Sequence, residues 1–526
     1  MIREQVVALR GERLDQMPYL DKGYIKDVIR KETVQSTLDF ISKGEKSLED
    51  VVERAVLVHT PAVAAKERIA LSKRRILVAV RDFFPEVSYK MENKDGRIGS
   101  VSGMRGYLHN DWRLTMRQPI FRGGILWNTF LKERNELKAA KSEYEQVVSD
   151  LMKDVAAAYF EYHRAKHIVE DTAETLNGEV KKQAEISSKK WEQGLIAEIE
   201  YLNVQSLYSE MQFDYETMKQ ELEIAKLELQ KYLDLQQDDA IEIEDLYENA
   251  ALIRKEKAGA TGGDSLEAAI ETAKSYGVFQ GEKVPALDEL IDMAYLHRPE
   301  LQVESARLRS ARLEQKMKMG DFLPEANLVM EVGQVGESYI IPNGRDPDLH
   351  KEFRLFLELS WNALGNTLSY NFENDERGAT LSSYLGDQGS QMTRNSFKVD
   401  ALDQLGSFVD IKQAQVDKLD QVAKLEEAEK NVIKEVKEAF FDYNRALIQL
   451  RSALKSVNYR TRMTQLSLHK LENREIESSE YMQAETDLLE EKQELHKALA
   501  DYFTARVKLN HAVGIRGLIT SEGTHE

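Results

Sequence analysis

Glu200 and Glu480 are acids at matching positions, close to the two turns that are the best functional candidates in this chain. Each stands six residues past the central residue of a short turn, and the two turns lie 280 residues apart. Acids at matching positions do electrostatic work: they attract cations and, when crowded together, raise one another's pKa. The plainer alternative is solvated helix surface, in a chain with 91 Asp and Glu residues. Nothing comparable marks a catalytic centre. The chain has no cysteine, which excludes a disulfide framework, thiol catalysis and a cysteine zinc site. Its ten histidines are scattered and form no His-Glu-x-x-His pair. No metal site is therefore expected, and His59, His163 and His297 read as structural. There is no Walker loop, nucleotide-binding glycine fingerprint, nucleophile elbow or paired-carboxylate site. Neither catalysis nor a cofactor is expected. Two aromatic clusters, Tyr159/Phe160/Tyr162 and Phe440/Phe441/Tyr443, occur at helical spacing and read as core packing rather than a ligand box.

The elements that position these residues occur twice. Lys153-Asp154-Val155 runs on to Ala158-Tyr159-Phe160-Glu161-Tyr162-His163-Arg164-Ala165. After 281 residues, Lys434-Glu435-Val436 runs on to Ala439-Phe440-Phe441-Asp442-Tyr443-Asn444-Arg445-Ala446. A long helical unit present only twice is a duplicated half-protein rather than a solenoid. Each half opens with a helical pattern, from Ser47 to Asp82 and from Asp288 to Gly320. Phe83-Phe84-Pro85 stops the first and Asp321-Phe322-Leu323-Pro324 the second.

The period then changes from 3.6 to 2, as for half-buried strands. Val87, Tyr89 and Met91 share one face, as do Trp112, Leu114 and Met116. In the second half Ala326, Leu328, Met330 and Val332 form one face. Phe353, Leu355, Leu357, Leu359 and Trp361 form the next, opposite Arg354, Glu358 and Ser360. A long helix follows each hairpin, over about 124–193 and 403–473. Phe130, Leu137, Tyr144 and Leu151 recur every seven residues, as do Val148, Val155 and Tyr162, then Leu425 and Val432, and Val436, Tyr443 and Leu450. That repeat is a coiled-coil seam, and each helix should be roughly 100 Å long. The turns Trp191–Ala197 and Leu471–Glu477 reverse the chain into shorter helices ending near Leu233 and Gly514.

The expected organisation is a helical extension over 1–46, a first repeat over 47–235 and an acidic linker over 236–285. A second repeat follows over 286–515, with a polar insertion at 366–400, and a tail over 516–526. Net charge is −19, which argues against nucleic acid, because phosphate binding needs a basic face. No run of about 18 apolar residues exists for a spanning helix, a test that says nothing about β-barrel strands. Met1-Ile2-Arg3-Glu4-Gln5 leads into charged, amphipathic sequence rather than an apolar export segment. This reads either as a cytosolic chain or as one that lacks its leader.

Gln118-Pro119-Ile120-Phe121-Arg122-Gly123-Gly124 resembles the Gln-Pro-Leu-Phe-x-Gly-Gly of the TolC-like outer membrane efflux protein family. His297-Arg298-Pro299-Glu300-Leu301, followed by Phe322-Leu323-Pro324, is similar to that family's Arg-Pro-Glu-Leu helix and its strand entry. The order, spacing and twofold occurrence of these motifs extend the resemblance over about 47–515.

The resemblance implies a mainly α fold with β: duplicated long coiled-coil helical hairpins plus four transmembrane β-strands per chain. It implies a homotrimer with an α-barrel tunnel in the periplasm and a twelve-stranded β-barrel in the outer membrane. Trp112, Leu114, Phe353, Leu357 and Trp361 would meet lipid, and Arg113, Arg117, Arg354 and Glu358 would line water. The turns at Gly194, Leu195 and Ile196, and at Arg474, Glu475 and Ile476, would receive a periplasmic adaptor (membrane fusion) protein. Arg474 departs from the family's usual glycine. Glu200 and Glu480 would form a carboxylate ring at the pore constriction. An inner-membrane transporter of RND, ABC or MFS type would drive this passive exit duct of a tripartite efflux or type I secretion system. The competing reading, a soluble coiled-coil scaffold, explains the heptads and the acidity but not the symmetric strands.

Overall fold

A computed structural model describes residues 40, 44–100, 103–235, 241–244, 285–338, 349–378 and 389–515. The expected extension over 1–46 and linker over 236–285 lie almost wholly outside the described residues, and the tail over 516–526 entirely so. The elements in order are α1 (Leu48–Val58), α2 (Thr60–Arg81), β1 (Glu86–Ser100), β2 (Gly103–Arg122) and α3 (Ile125–Thr175). A π-helical turn (Leu176–Val180), α4 (Lys181–Glu192) and α5 (Glu198–Leu233) complete the first half. The second half has α6 (Leu287–His297), α7 (Pro299–Gly320), β3 (Glu325–Ser338), β4 (His350–Ala363), β5 (Asn366–Arg377) and β6 (Ser390–Asp400), then α8 (Gly406–Glu472) and α9 (Ser478–Val513). No helix among the described residues is long and apolar enough to cross a membrane.

The chain divides into two compact units. One comprises Met1–Ala65, Tyr144–Pro299 and Lys430–Glu526, and the other Lys66–Glu143 and Glu300–Glu429. The first is helical. Ser47 caps α1 in a capping box with Asp50. The coiled-coil seam supplies much of the core: Val148, Leu151, Val155, Tyr162, Val432, Val436, Tyr443 and Leu450 are all buried. The expected continuous helix over 124–193 is interrupted. Gly178 leaves helical geometry, with φ −86° and ψ −110°, inside the π-helical turn. Glycine is the weakest non-proline helix former, and π-turns are a common site of kinks. Phe441 departs from the core expectation as well, being 59% exposed, whereas Tyr159, Phe160, Tyr162 and Tyr443 are buried.

The second unit holds the sheet, and here the strand count changes. Among the described residues six antiparallel strands, not four, follow one another in sequence order β1 to β6. The polar insertion expected over 366–400 is the additional hairpin β5–β6. Ala363 pairs with Asn366 across a two-residue loop, in which Leu364 and Gly365 have φ of 54° and 85°. Two positive φ values in a two-residue loop give the backbone twist that antiparallel strands favour. Asn362 Oδ1 accepts from the Gly365 N–H at 3.1 Å. At the same end of the sheet Asp403 accepts from the Thr367 N–H and hydroxyl at 2.9 and 2.6 Å.

Cross-strand partners in an antiparallel sheet share a face, so the registers assign the sides. Tyr89 pairs with Leu114, Leu114 with Val332, and Val332 with Phe353. In these rows one side of β1–β4 is thus apolar, and the row Met91, Trp112, Gln334 and Lys351 on the same side turns polar on β3 and β4. Arg113, Glu331, Arg354 and Asp375 stand on the opposite side. Pro119 sits at a register shift of β2, beyond the residues that pair with β1, where its missing N–H costs least. At the end of β2, Gly123 has φ +53°, and a Cβ there would collide with the carbonyl of Gly320. Only glycine fits that crossing.

Candidate functional site

The two helix-reversing turns are built alike. After α4 the Leu195 N–H reaches Lys190 O and the Gly194 N–H reaches Trp191 O, both at 2.8 Å. After α8 the Glu475 N–H reaches Lys470 O at 2.8 Å and the Arg474 N–H reaches Leu471 O at 3.0 Å. These are paired Schellman bonds, which need a left-handed residue at the turn. Gly194 supplies φ +71°, and Arg474 supplies φ +62°. The departure at Arg474 therefore leaves the turn geometry intact, at the steric cost that a side chain pays in this region.

Their surfaces differ. At the first turn Leu195, Ile199 and Leu202 are 69%, 70% and 54% exposed. Trp191 stacks on Tyr201 with ring centroids 4.6 Å apart and planes 8° apart. At the second turn Arg474, Glu475, Glu477 and Glu480 are exposed, while Ile476 is half-buried and Tyr481 is buried. One tip is an apolar knob and the other a charged one. Ile196 is half-buried in the first turn.

Glu200 and Glu480 diverge in the same way. Glu480 is exposed. Glu200 is 5% exposed and accepts from the Ser479 N–H at 2.8 Å and the Ser479 hydroxyl at 2.6 Å. Ser479 is the second residue of α9, so Glu200 satisfies one of the amides that every helix N-terminus leaves unpaired. Burial works against its ionisation, but the two hydrogen bonds from Ser479 outweigh that and hold its carboxyl below the usual range. Its neighbour Glu477 is pushed up, by hydrogen bonding to and repulsion from Glu200. Within the chain the two acids thus differ: Glu200 is a buried clamp between α5 and α9, whereas Glu480 faces solvent.

The polar side of the sheet is a charged wall. Glu352, 4% exposed, meets Arg113, Arg354 and Arg377 at 2.9, 2.9 and 3.1 Å. Arg113 also holds Asp111 at 2.7 Å, and Arg117 meets Glu358 at 3.1 Å. On the other side Leu114, Phe353 and Trp361 are 47%, 36% and 46% exposed, while Trp112 and Leu357 are half-buried.

Two features of the helical unit escaped sequence reasoning. His163 and His167 have ring nitrogens 3.3 Å apart, His167 stacks on His496, and His496 donates to Asp171 at 3.0 Å. The spacing of His163 and His167, one helical turn apart, was the available signal. His496 lies too far along the chain to have been added. Among the described residues no group of three or more His, Asp or Glu is placed to hold a metal ion. Arg298, 2% exposed, pairs with Glu435 and donates to His511 O at 3.1 Å. The Arg-Pro-Glu-Leu arginine thus ties the α6–α7 junction to α8 and α9.

Residues 55–234, which span the first hairpin and the apolar tip, match the family of outer membrane efflux proteins. Over that segment the chain is similar to outer membrane efflux proteins. A likeness of fold to solved structures extends well beyond that segment. CusC, whose structures describe folding and transmembrane channel formation, superposes with a TM-score of 0.64 at 14% identity, covering 90% of this chain and 92% of its own. The CmeC outer membrane channel of Campylobacter jejuni gives 0.63 at 13%, covering 91% and 87%. The outer membrane protein VceC of Vibrio cholerae gives 0.61 at 13%, covering 89% and 96%. At such identities the likeness is one of fold. No curated protein matches the chain in sequence.

Proposed function

We propose that the chain is one protomer of a trimeric outer membrane channel-tunnel. It is a passive exit duct of a tripartite efflux or type I secretion system, opened at its helical tips by a periplasmic adaptor and energised by an inner-membrane transporter. The observation that carries this reading is the two-faced sheet. One side is a continuous apolar band from Val87 to Trp361, and the other a network of ion pairs centred on Glu352. A wall between lipid and water needs that division. A soluble scaffold has no use for exposed Tyr89, Leu114 and Trp361 on one side of a sheet.

The apolar tip at Leu195 and Ile199 is the proposed adaptor contact, with Gly194, Ile196, Arg474, Glu475 and Ile476 shaping the two turns. Opening is a population shift that the adaptor drives by contacts made only in the open state. Glu480, once per chain, is the proposed charge at the constriction. The chain produced with an export signal should fractionate with the outer membrane and conduct ions across a planar bilayer. Recovery as a water-soluble, non-conducting protein would favour the coiled-coil scaffold.

A further inference from the structure

The sheet ends in two open edges, because β1 and β6 each have one strand neighbour among the described residues. In a bilayer an open edge leaves backbone N–H and C=O groups without partners, and only closure removes them. Six strands in a meander make β1 and β6 run in opposite directions, so the two edges of different copies can join in an ordinary antiparallel ladder. We propose that β6 of one chain pairs with β1 of the next. Three copies, each giving six strands, then close an eighteen-stranded barrel in which the 366–400 hairpin is wall. The count of three rests on the trimer proposed above; the β6–β1 joint rests on the sheet itself.

Three observations carry the joint. First, the hairpin is built as wall. Trp361 pairs with Leu368, Leu359 with Tyr370 and Leu357 with Phe372. Leu368 pairs onward with Val399, and Tyr370 with Phe397. The apolar band therefore continues across the lower part of β5 and β6, where Phe397 and Val399 are 67% and 53% exposed, and Asn374, Thr393 and Asn395 stand above it on the same side. The polar side continues too, with Arg394 meeting Glu373 at 3.7 Å. A hairpin standing clear of the bilayer would gain nothing from that band.

Second, the stagger suits a barrel. One cross-strand row runs Val87, Met116, Met330, Leu355, Asn374, Thr393. It leaves β1 one residue above its foot at Glu86 and reaches β6 seven residues above its foot at Asp400. With the two feet level, the row climbs about six residues over six strands. A climb equal to the strand number corresponds to a tilt of about 36°, within the barrel range.

Third, the register set by this climb is chemically matched. It places Val399 opposite Val87 and Phe397 opposite Tyr89 on the apolar side, and Arg394 opposite Glu92 on the polar side. Glu86 and Asp400 meet at the water-facing foot, where screening weakens their repulsion. A climb two residues larger would set Lys398 against Lys90 and Arg394 against Lys94.

The chain contains no cysteine, so engineered pairs report the joint directly. Ser396→Cys on β6 is combined in turn with Ser88→Cys, Lys90→Cys or Glu92→Cys on β1, and the extracted protein is oxidised. Ser396 and Lys90 are exposed. The Lys90 pair should shift the chain from the monomer band to a linked trimer on a non-reducing gel, reversed by reductant. Phe356→Cys on β4 with Lys90→Cys should stay monomeric. Linkage from β4, or none from β6 with any of the three partners in a threefold particle, overturns the eighteen-stranded wall and leaves the proposed function standing. A particle that is not threefold overturns the function as well.

Discussion

Glu200 shows how a position picked out by its spacing can carry a structural task. Its spacing from the turn marked it out, but its partner Ser479 lies 279 residues away, beyond the reach of local pattern. The carboxylate is lowered in the folded state. Its stabilising contribution is therefore complete above the unfolded carboxylate pKa of about 4.3 and fades as pH falls through and below it. Glu200→Ala should cost about 2 kcal/mol at pH 7, the loss of hydrogen bonds to a charged group, read from thermal unfolding. The gap to the parent should narrow below about pH 4; a gap independent of pH would contradict the assignment. Glu480→Lys should instead lower the channel's preference for cations in a planar bilayer and leave stability nearly unchanged. If Glu200 rather than Glu480 sets selectivity, the division of labour is wrong. Arg474 offers a separate check. Arg474→Gly should raise stability by about 0.5–1 kcal/mol, the left-handed strain relieved less the glycine's greater freedom when unfolded. An unchanged melting midpoint would mean the strain is relieved elsewhere.

At the scale of elements, the sequence specified most of what positions the site. The period change after Pro85 and Pro324, the heptad seam and both turns appear where residue spacing put them. Legibility failed where polar composition masked a pattern. Residues 366–400 are rich in Asn, Ser, Gly and Asp, yet Leu368, Tyr370 and Phe372 alternate, as do Phe397 and Val399. A barrel strand keeps water on one side and so dilutes its own signal. The turn at Leu364-Gly365 also lacks the usual Asn-Gly or Asp-Gly. The kink at Gly178 was missed for the opposite reason: one glycine inside a strong heptad pattern is usually tolerated. The apolar tip makes its own prediction. Leu195→Asp with Ile199→Asp should weaken adaptor binding about tenfold or more, since exposed apolar anchors dominate such contacts, and should leave the oligomer intact. Unaltered binding would move the adaptor contact to the charged second tip.

At the scale of the whole molecule, the two halves are alike in plan and differ in detail. The halves share a helix–hairpin–long helix–return helix plan, and the second has added a hairpin to its sheet. The turns kept one backbone geometry while their surfaces diverged into apolar and charged. The most direct measurement is imaging of the detergent-extracted protein to a resolution that counts strands. Hollow threefold particles, with a β-barrel at one end and a tunnel of helices roughly 100 Å long, are the expected result. Rods without a barrel end, or a sheet left open at β1 and β6, would contradict the account at its centre.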